Sequence, residues 1–138
     1  MFSDKDVFEV KRPIAQVTEV LKKKSAECFR QEISFISQGD SSGGIRLNQR
    51  QVRAFTPKVI VDKQHTRLTL QVKTTEGATE LGDIPHDGWY MMVVDAYPVD
   101  KSTTRIESYF QQTGYKGAFT SIKPWVTGTN SGCPDLNE

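Results

Sequence analysis

Hydrophobic and polar residues follow two different periods along this chain. Within residues 7–11, Val7, Phe8 and Val10 stand among charges, which predicts a short strand. Pro13 follows, where a helix can open because the first helical residue needs no N–H partner. Ile14, Val17, Val20 and Leu21 then recur at spacings of three, three and one, the stripe of an amphipathic helix running to about Glu27. Lys22, Lys23 and Lys24 fall near its end, where positive charge favours the helix dipole, and read as a solvated face.

From Cys28 onward the period becomes two. Phe29, Ile33 and Phe35 share a face that Gln31 interrupts. A glycine-rich connection over residues 39–44 leads into Ile45, Leu47 and Gln49, and Val52 with Ala54 places a bulge where the parity slips. Thr56-Pro57 is expected to break that strand. Residues 59–61, then Leu68, Leu70 and Val72, read as two further strands around a turn, and residues 75–88 as the longest irregular stretch. Residues 89–97 are apolar on both parities, which predicts a strand covered on both faces. After a turn at Asp100-Lys101-Ser102, the residues Thr104, Ile106, Ser108 and Phe110 alternate in a last strand. Ala118, Phe119, Ile122 and Val126 return to helical spacing, with Pro124 expected to kink or end that helix.

Together these elements predict an α+β fold. A curved antiparallel sheet of about six to seven strands carries one helix after its first strand and a short C-terminal helix. One domain spans residues 1–138, with 129–138 as a tail. A curved sheet gripping a helix leaves a cavity between them, where ligands commonly sit.

Composition narrows the choices. The chain has 138 residues, of which 36% are hydrophobic, enough for one cored domain. Its 18 Lys and Arg against 17 Asp and Glu leave no positive surplus to neutralise phosphates, so no nucleic-acid partner is expected. No apolar run approaches the roughly 18 residues of a membrane span. Cys28 and Cys133 are the two cysteines, and without a Cys-x-x-Cys they form neither a zinc ribbon nor a thioredoxin-type pair. Bridged, they would close a loop of about 100 residues, stabilise by about 4–5 kcal/mol, and imply an oxidising location: periplasm, cell envelope or secreted. Unbridged, they are two unrelated thiols and the protein is cytoplasmic. The first residues lack the apolar segment of a signal peptide, leaving a cytoplasmic chain or a mature form.

Candidate chemistry is sparse. Residues 39–43 satisfy G-x-S-x-G, but they precede a strand rather than a helix, so a hairpin loop is expected instead of a nucleophile elbow. His65 and His86 both fall in turns, without the close pairing of metal ligands; no metal and no cofactor is implied. A histidine site would need Asp62 or Asp83 as orienter, and His86, in the long loop, is the better candidate. Asp95 lies in the most apolar strand, on the parity of Trp89, Met91, Val93 and Tyr97. It reads as a carboxylate paired with a neighbouring arginine, Arg105, as a solvent-facing group, or as a site acid. Gln31 and Gln49 interrupt apolar faces; they orient a ligand if they point inward and face water if the register slips by one. Trp89, Met91, Tyr97, Phe110 and Trp125 line the same cavity or form plain core.

The element order resembles the START-like superfamily, the helix-grip or SRPBCC fold. The likeness is carried by the leading strand Val7-Phe8-Glu9-Val10, the helix opened by Pro13-Ile14-Ala15-Gln16-Val17, and Thr104-Arg105-Ile106-Glu107 feeding the last helix. Members bind lipids, sterols, polyketides or other apolar molecules between sheet and helix, and some are cyclases or hydratases. The last helix here departs from the family in being short and containing Pro124. The ending, Trp125 to Gly128 and then Cys133-Pro134, is similar to that of small bacterial envelope proteins. The expected function is therefore non-enzymatic binding of a small apolar or amphipathic, lipid-like ligand between sheet and C-terminal helix, with Gln31, Gln49 and Asp95 as polar contacts. The alternative is a cell-envelope interaction protein with a filled core. The third reading is a cyclase- or hydratase-type enzyme using Asp95 or His86.

Overall fold

The computed structural model describes residues 4–40, 46–76, 89–111, 116–129 and 132–134; for 33–40, 46–51, 74–76, 89 and 116 it describes the backbone alone. The elements are β1 (Asp4–Val10), α1 (Ile14–Cys28), β2 (Gln31–Asp40), β3 (Arg46–Val61), β4 (Thr66–Glu76), β5 (Trp89–Pro98), β6 (Thr104–Phe110) and α2 (Lys116–Thr127). They build a curved, open, wholly antiparallel sheet in the order β1-β6-β5-β4-β3-β2, with two helices: an α+β fold.

Alternation along β6 shows how the sheet is used. Thr104, Ile106, Ser108 and Phe110 are buried, while Arg105, Glu107 and Tyr109 point the other way. On the buried side Leu68, Leu70, Val94 and Ile106 meet Leu21 of α1 and Val126 of α2, all with no exposed surface. Both helices lie on this one face. Phe110 stacks on Phe119 of α2 with ring centroids 5.4 Å apart. The interface is tied by polar contacts as well: Thr18 of α1 shares a buried hydrogen bond of 2.7 Å with Thr66 of β4.

Three expectations about the strands need correction. Thr56-Pro57 does not end a strand, because β3 runs through it and Pro57 pairs with Leu70. β2 begins at Gln31, opposite Phe55, so among the described residues the following part of β3 has a strand partner on one side only. There the missing proline N–H is not needed, and the Pro57 carbonyl accepts a 3.3 Å hydrogen bond from Arg30. With residues 59–61 belonging to β3, the sheet has six strands, within the six to seven expected. The register shift at Val52/Arg53 lies where the parity slip was read. A second shift, between Leu70 and Gln71, leaves Met91 as an extra residue in β5. Met91 and Met92 are consequently both wholly buried, although consecutive strand residues should face opposite ways. Nor is β5 closed off on both faces: Val93 and Tyr97 are half-buried and Tyr90 is exposed.

The helices also differ in detail from expectation. Pro13 precedes the first helical residue, and its carbonyl accepts from the N–H groups of Gln16 and Val17. α1 continues one residue past Glu27 to Cys28, so the lysines are not in its last turn and the dipole argument for them fails; Lys24 pairs with Glu27 at 3.3 Å. α2 continues past Pro124. The carbonyl that Pro124 leaves without a helical donor belongs to Thr120, an exposed residue where water can replace it. Gly128 closes α2 at φ 80, and a Cβ there would collide with the Arg12 guanidinium.

Cys28 and Cys133 form a disulfide across 105 residues. Gly132, next to Cys133, is also tied to Trp125, whose Nε1 donates to the Gly132 carbonyl at 2.9 Å, and Trp125 rests on Phe29 at 5.0 Å between centroids. The bridge constrains the unfolded chain most, so replacing both cysteines by serine should lower stability by about 4–5 kcal/mol, read from urea unfolding. Gly128→Ala should cost about 1–2 kcal/mol, because the left-handed conformation opposes a side chain, while the tip of the flexible Arg12 side chain can move aside; an unchanged urea midpoint would contradict this placement.

Candidate functional site

The sheet face away from the helices carries polar residues in cross-strand rows. Arg67, Asp95, Glu107 and Val7 stand opposite one another on β4, β5, β6 and β1. One step along, Tyr97, Arg105 and Glu9 form the next row, with His65 just before β4 beside Tyr97. On the other side Thr69, Val93, Tyr109 and Lys5 form a third.

Asp95 is the centre of this arrangement. It is 5% exposed on a face that no described helix covers. Its Oδ1 accepts from His65 Nε2 at 2.7 Å and from Arg67 Nε at 2.7 Å, and its Oδ2 from Arg67 Nη2 at 3.1 Å. Burying a carboxylate is unfavourable unless charged donors replace its water, and the planar Arg67 fork does so at both oxygens. Its hydrogen bond to Asp95 in turn pushes the Arg67 guanidinium further toward the charged form. Glu107, the like-charged neighbour across the strands, has donors of its own: Arg105 Nε at 3.1 Å and the Tyr109 hydroxyl at 2.9 Å.

The aromatic groups are held by the same rows. Tyr97 stacks on the His65 ring with centroids 4.7 Å apart, and Arg105 lies 5.2 Å from the Tyr97 centroid. Lys5 sits 5.2 Å over Tyr109. Burial first, then the charges of Asp95 and Glu107, raise the Tyr97 phenol above its ordinary pKa. Tyr109 is raised as well, first by its hydrogen bond to Glu107. Two open depressions meet at Tyr97. One, of about 460 Å³, is lined by Arg67, Val93, Asp95, Tyr97 and Tyr109. The other, of about 500 Å³, is lined by Asp62, Lys63, Gln64, His65 and Tyr97.

The residues singled out in the sequence do not converge on one site. Met91, Phe110 and Trp125 are buried in the core between sheet and helices, whereas Asp95 and Tyr97 lie on the opposite face. Asp95 pairs with Arg67 and His65 rather than Arg105, because Arg105 stands opposite Tyr97 and binds Glu107. Gln31 is exposed, and its amide donates to the Cys28 carbonyl at 2.8 Å. The side chains of Gln49 and Trp89 lie outside the described residues, as do His86, Asp83 and most of the G-x-S-x-G motif. His65 finds its carboxylate in Asp95 and not in Asp62, whose Oδ1 accepts from the Gln64 N–H. Arg67, Glu107 and Tyr109 were not singled out. Their signal was the polar parity of β4 and β6 set against the apolar one.

Among the described residues, no hydroxyl or thiol hydrogen-bonds to His65. Among the same residues, no group of three acidic, histidine or cysteine side chains could hold a metal, and no helix is long and apolar enough to cross a membrane.

No family model matches the chain, and no curated protein matches it. Among solved structures, a chain described as a conserved protein from Geobacillus kaustophilus aligns at a TM-score of 0.38 and 13% identity, over 89% of this chain and 86% of that one. A likeness at that level carries no argument about function.

The raised Tyr97 phenol makes a measurable claim. A raised folded-state pKa favours the neutral phenol, so its contribution to stability is complete below about pH 10 and is lost as pH rises through the folded value. Asp95→Asn removes the largest electrostatic cause, and tyrosinate absorbance should then show Tyr97 ionising at lower pH than in the wild type. An unmoved titration would place Asp95 elsewhere. Asp95→Ala should also cost about 1–3 kcal/mol of stability by removing a buried acceptor.

Proposed function

We propose that the protein is a non-enzymatic binding module that takes a small amphipathic ligand on the uncovered face of its sheet. The reading rests on the depression over Val93, where the Tyr97 and Tyr109 rings stand beside the Arg67–Asp95 fork. The depression is shallow and open, and its lining is polar as much as apolar, a surface that suits a ligand with both polar and apolar parts. Here the polar groups are already fixed by one another, so binding would require little ordering of side chains. The ligand class is the one expected from the sequence, moved from the helix side of the sheet to its other side.

A second reading keeps the ligand between sheet and helices, as the START-like resemblance implies. The order β1-α1 followed by five strands and α2 supports that kinship. One observation favours an interior guest: Ser108, on the helix-facing parity of β6, is 1% exposed and its Oγ has no hydrogen-bond partner among the described residues. Such a hydroxyl is normally satisfied by protein, water or ligand.

The Cys28–Cys133 bridge supports residence in an oxidising compartment, which we take to be the periplasm or cell envelope.

Native mass spectrometry of protein purified from its own host separates these readings. The proposal expects a small-molecule adduct that Tyr97→Ala with Tyr109→Ala reduces by at least about tenfold, equivalent to about 1.4 kcal/mol, while Ser108→Val leaves it intact. An adduct lost in Ser108→Val and retained in the tyrosine variant would move the site to the interior. No adduct on any of the three proteins would leave an interaction scaffold with a filled core.

A further inference from the structure

We propose that Cys133 is a reversible modification site for small thiols, and that exchange there frees the tail from α1 without unfolding the sheet. The two sulfurs of the bridge have different surroundings. Cys28 ends α1, is 3% exposed and belongs to the apolar cluster that holds Phe29 and Trp125. Cys133 is exposed. It borders a cleft of about 210 Å³ whose walls include Thr120, Ser121, Trp125 and Pro134. Thiol–disulfide exchange proceeds by attack on one sulfur, and access decides which.

The reaction follows from that asymmetry. A small thiolate attacks Cys133 Sγ, forming a mixed disulfide as the Cys133–Cys28 bond breaks. The electron pair leaves with Cys28 Sγ, which takes a proton from solvent. A second small thiolate can then attack the sulfur of the first, yielding a small-molecule disulfide and the Cys133 thiolate. Two thiols are oxidised and the bridge is reduced to two thiols. Only a thiolate is an effective nucleophile, and Cys28, released among apolar side chains, is poorly placed to become one. The same feature slows the first step and preserves the mixed disulfide once formed.

Opening the bridge lowers stability but leaves the packing of the sheet and α2 in place. α2 is held independently by Ala118, Ile122 and Val126, each at most 1% exposed, and its end is closed by the N–H of Thr129 donating to the Pro124 carbonyl at 3.0 Å. Release of Cys133 therefore loosens the chain beyond that point. Trp125 reports the event, because its Nε1 donates to Gly132, the residue before Cys133.

The test uses the whole oxidised protein in a glutathione buffer near pH 8 without denaturant, quenched by acid and mapped by mass. The expected product carries one glutathione on Cys133 and a free thiol on Cys28. Far-ultraviolet circular dichroism should be unchanged, and Trp125 emission, read in a Trp89→Phe background, should move to longer wavelength. Challenged with oxidised glutathione, Cys28→Ala should be modified at Cys133 at least about tenfold faster than Cys133→Ser is at Cys28. An adduct on Cys28, equal rates in the two variants, or exchange that begins only when urea unfolds the sheet would each overturn the proposal. If Cys28→Ala does not fold, the position of the glutathione adduct on the wild-type protein still decides which sulfur is attacked.

Discussion

A sheet has two faces, and both described helices of this protein lie on one of them. From that constraint most of the structure follows. The inner face is apolar, from Leu68 and Leu70 through Val94 to Ile106 and Phe110, and is sealed by α1 and α2. Among the described residues the outer face has no such cover, and it balances its own charges. Asp95 stands opposite Glu107, two carboxylates where like charges repel. Each is supplied with separate donors, Asp95 by His65 and Arg67 and Glu107 by Arg105 and Tyr109. The result is a pre-arranged polar surface with aromatic rings set into it, and the functional account rests on that surface.

Much of this fold was legible in the pattern of residues. Period two and period 3.6 are imposed by which side chains must leave water, so the helix beginning near Ile14 and the strand alternation of Thr104 to Phe110 could be read directly. What escaped was whatever depends on a neighbour rather than on the chain's own period. Pro57 does not break β3 because β2 stops opposite Phe55, a fact about a strand more than twenty residues earlier. Met91 was placed on the Asp95 side by parity, and the bulge against Leu70 and Gln71 turns it into the core.

The polar site was half legible. Asp95 declared itself as a carboxylate in an apolar strand, and its partnership with an arginine was the correct kind of interaction. The partner was misjudged, although the turn at Asp100 to Ser102 contained the answer. Counting outward from it pairs Asp95 with Glu107 and Tyr97 with Arg105, which excludes Arg105 as the residue opposite Asp95. Arg67 was hidden for a physical reason: the connection from β4 to β5 is long, and a long connection does not fix register as a tight turn does. His65 was visible as a histidine in a turn, but its carboxylate lies thirty residues away on another strand. The Cys28–Cys133 bridge, one of two open readings of the sequence, is formed.

Which side of the sheet is closed is measured most directly by chemical labelling of the folded protein. Dilute peroxide and a tyrosine-selective reagent, each followed by peptide mapping, would report both faces in one preparation. The account predicts that Met91 and Met92 resist oxidation until the protein unfolds, while Tyr97 and Tyr109 are modified in the native state. Prompt oxidation of the adjacent methionines, together with inert Tyr97 and Tyr109, would mean that the covered and open faces have been assigned the wrong way round.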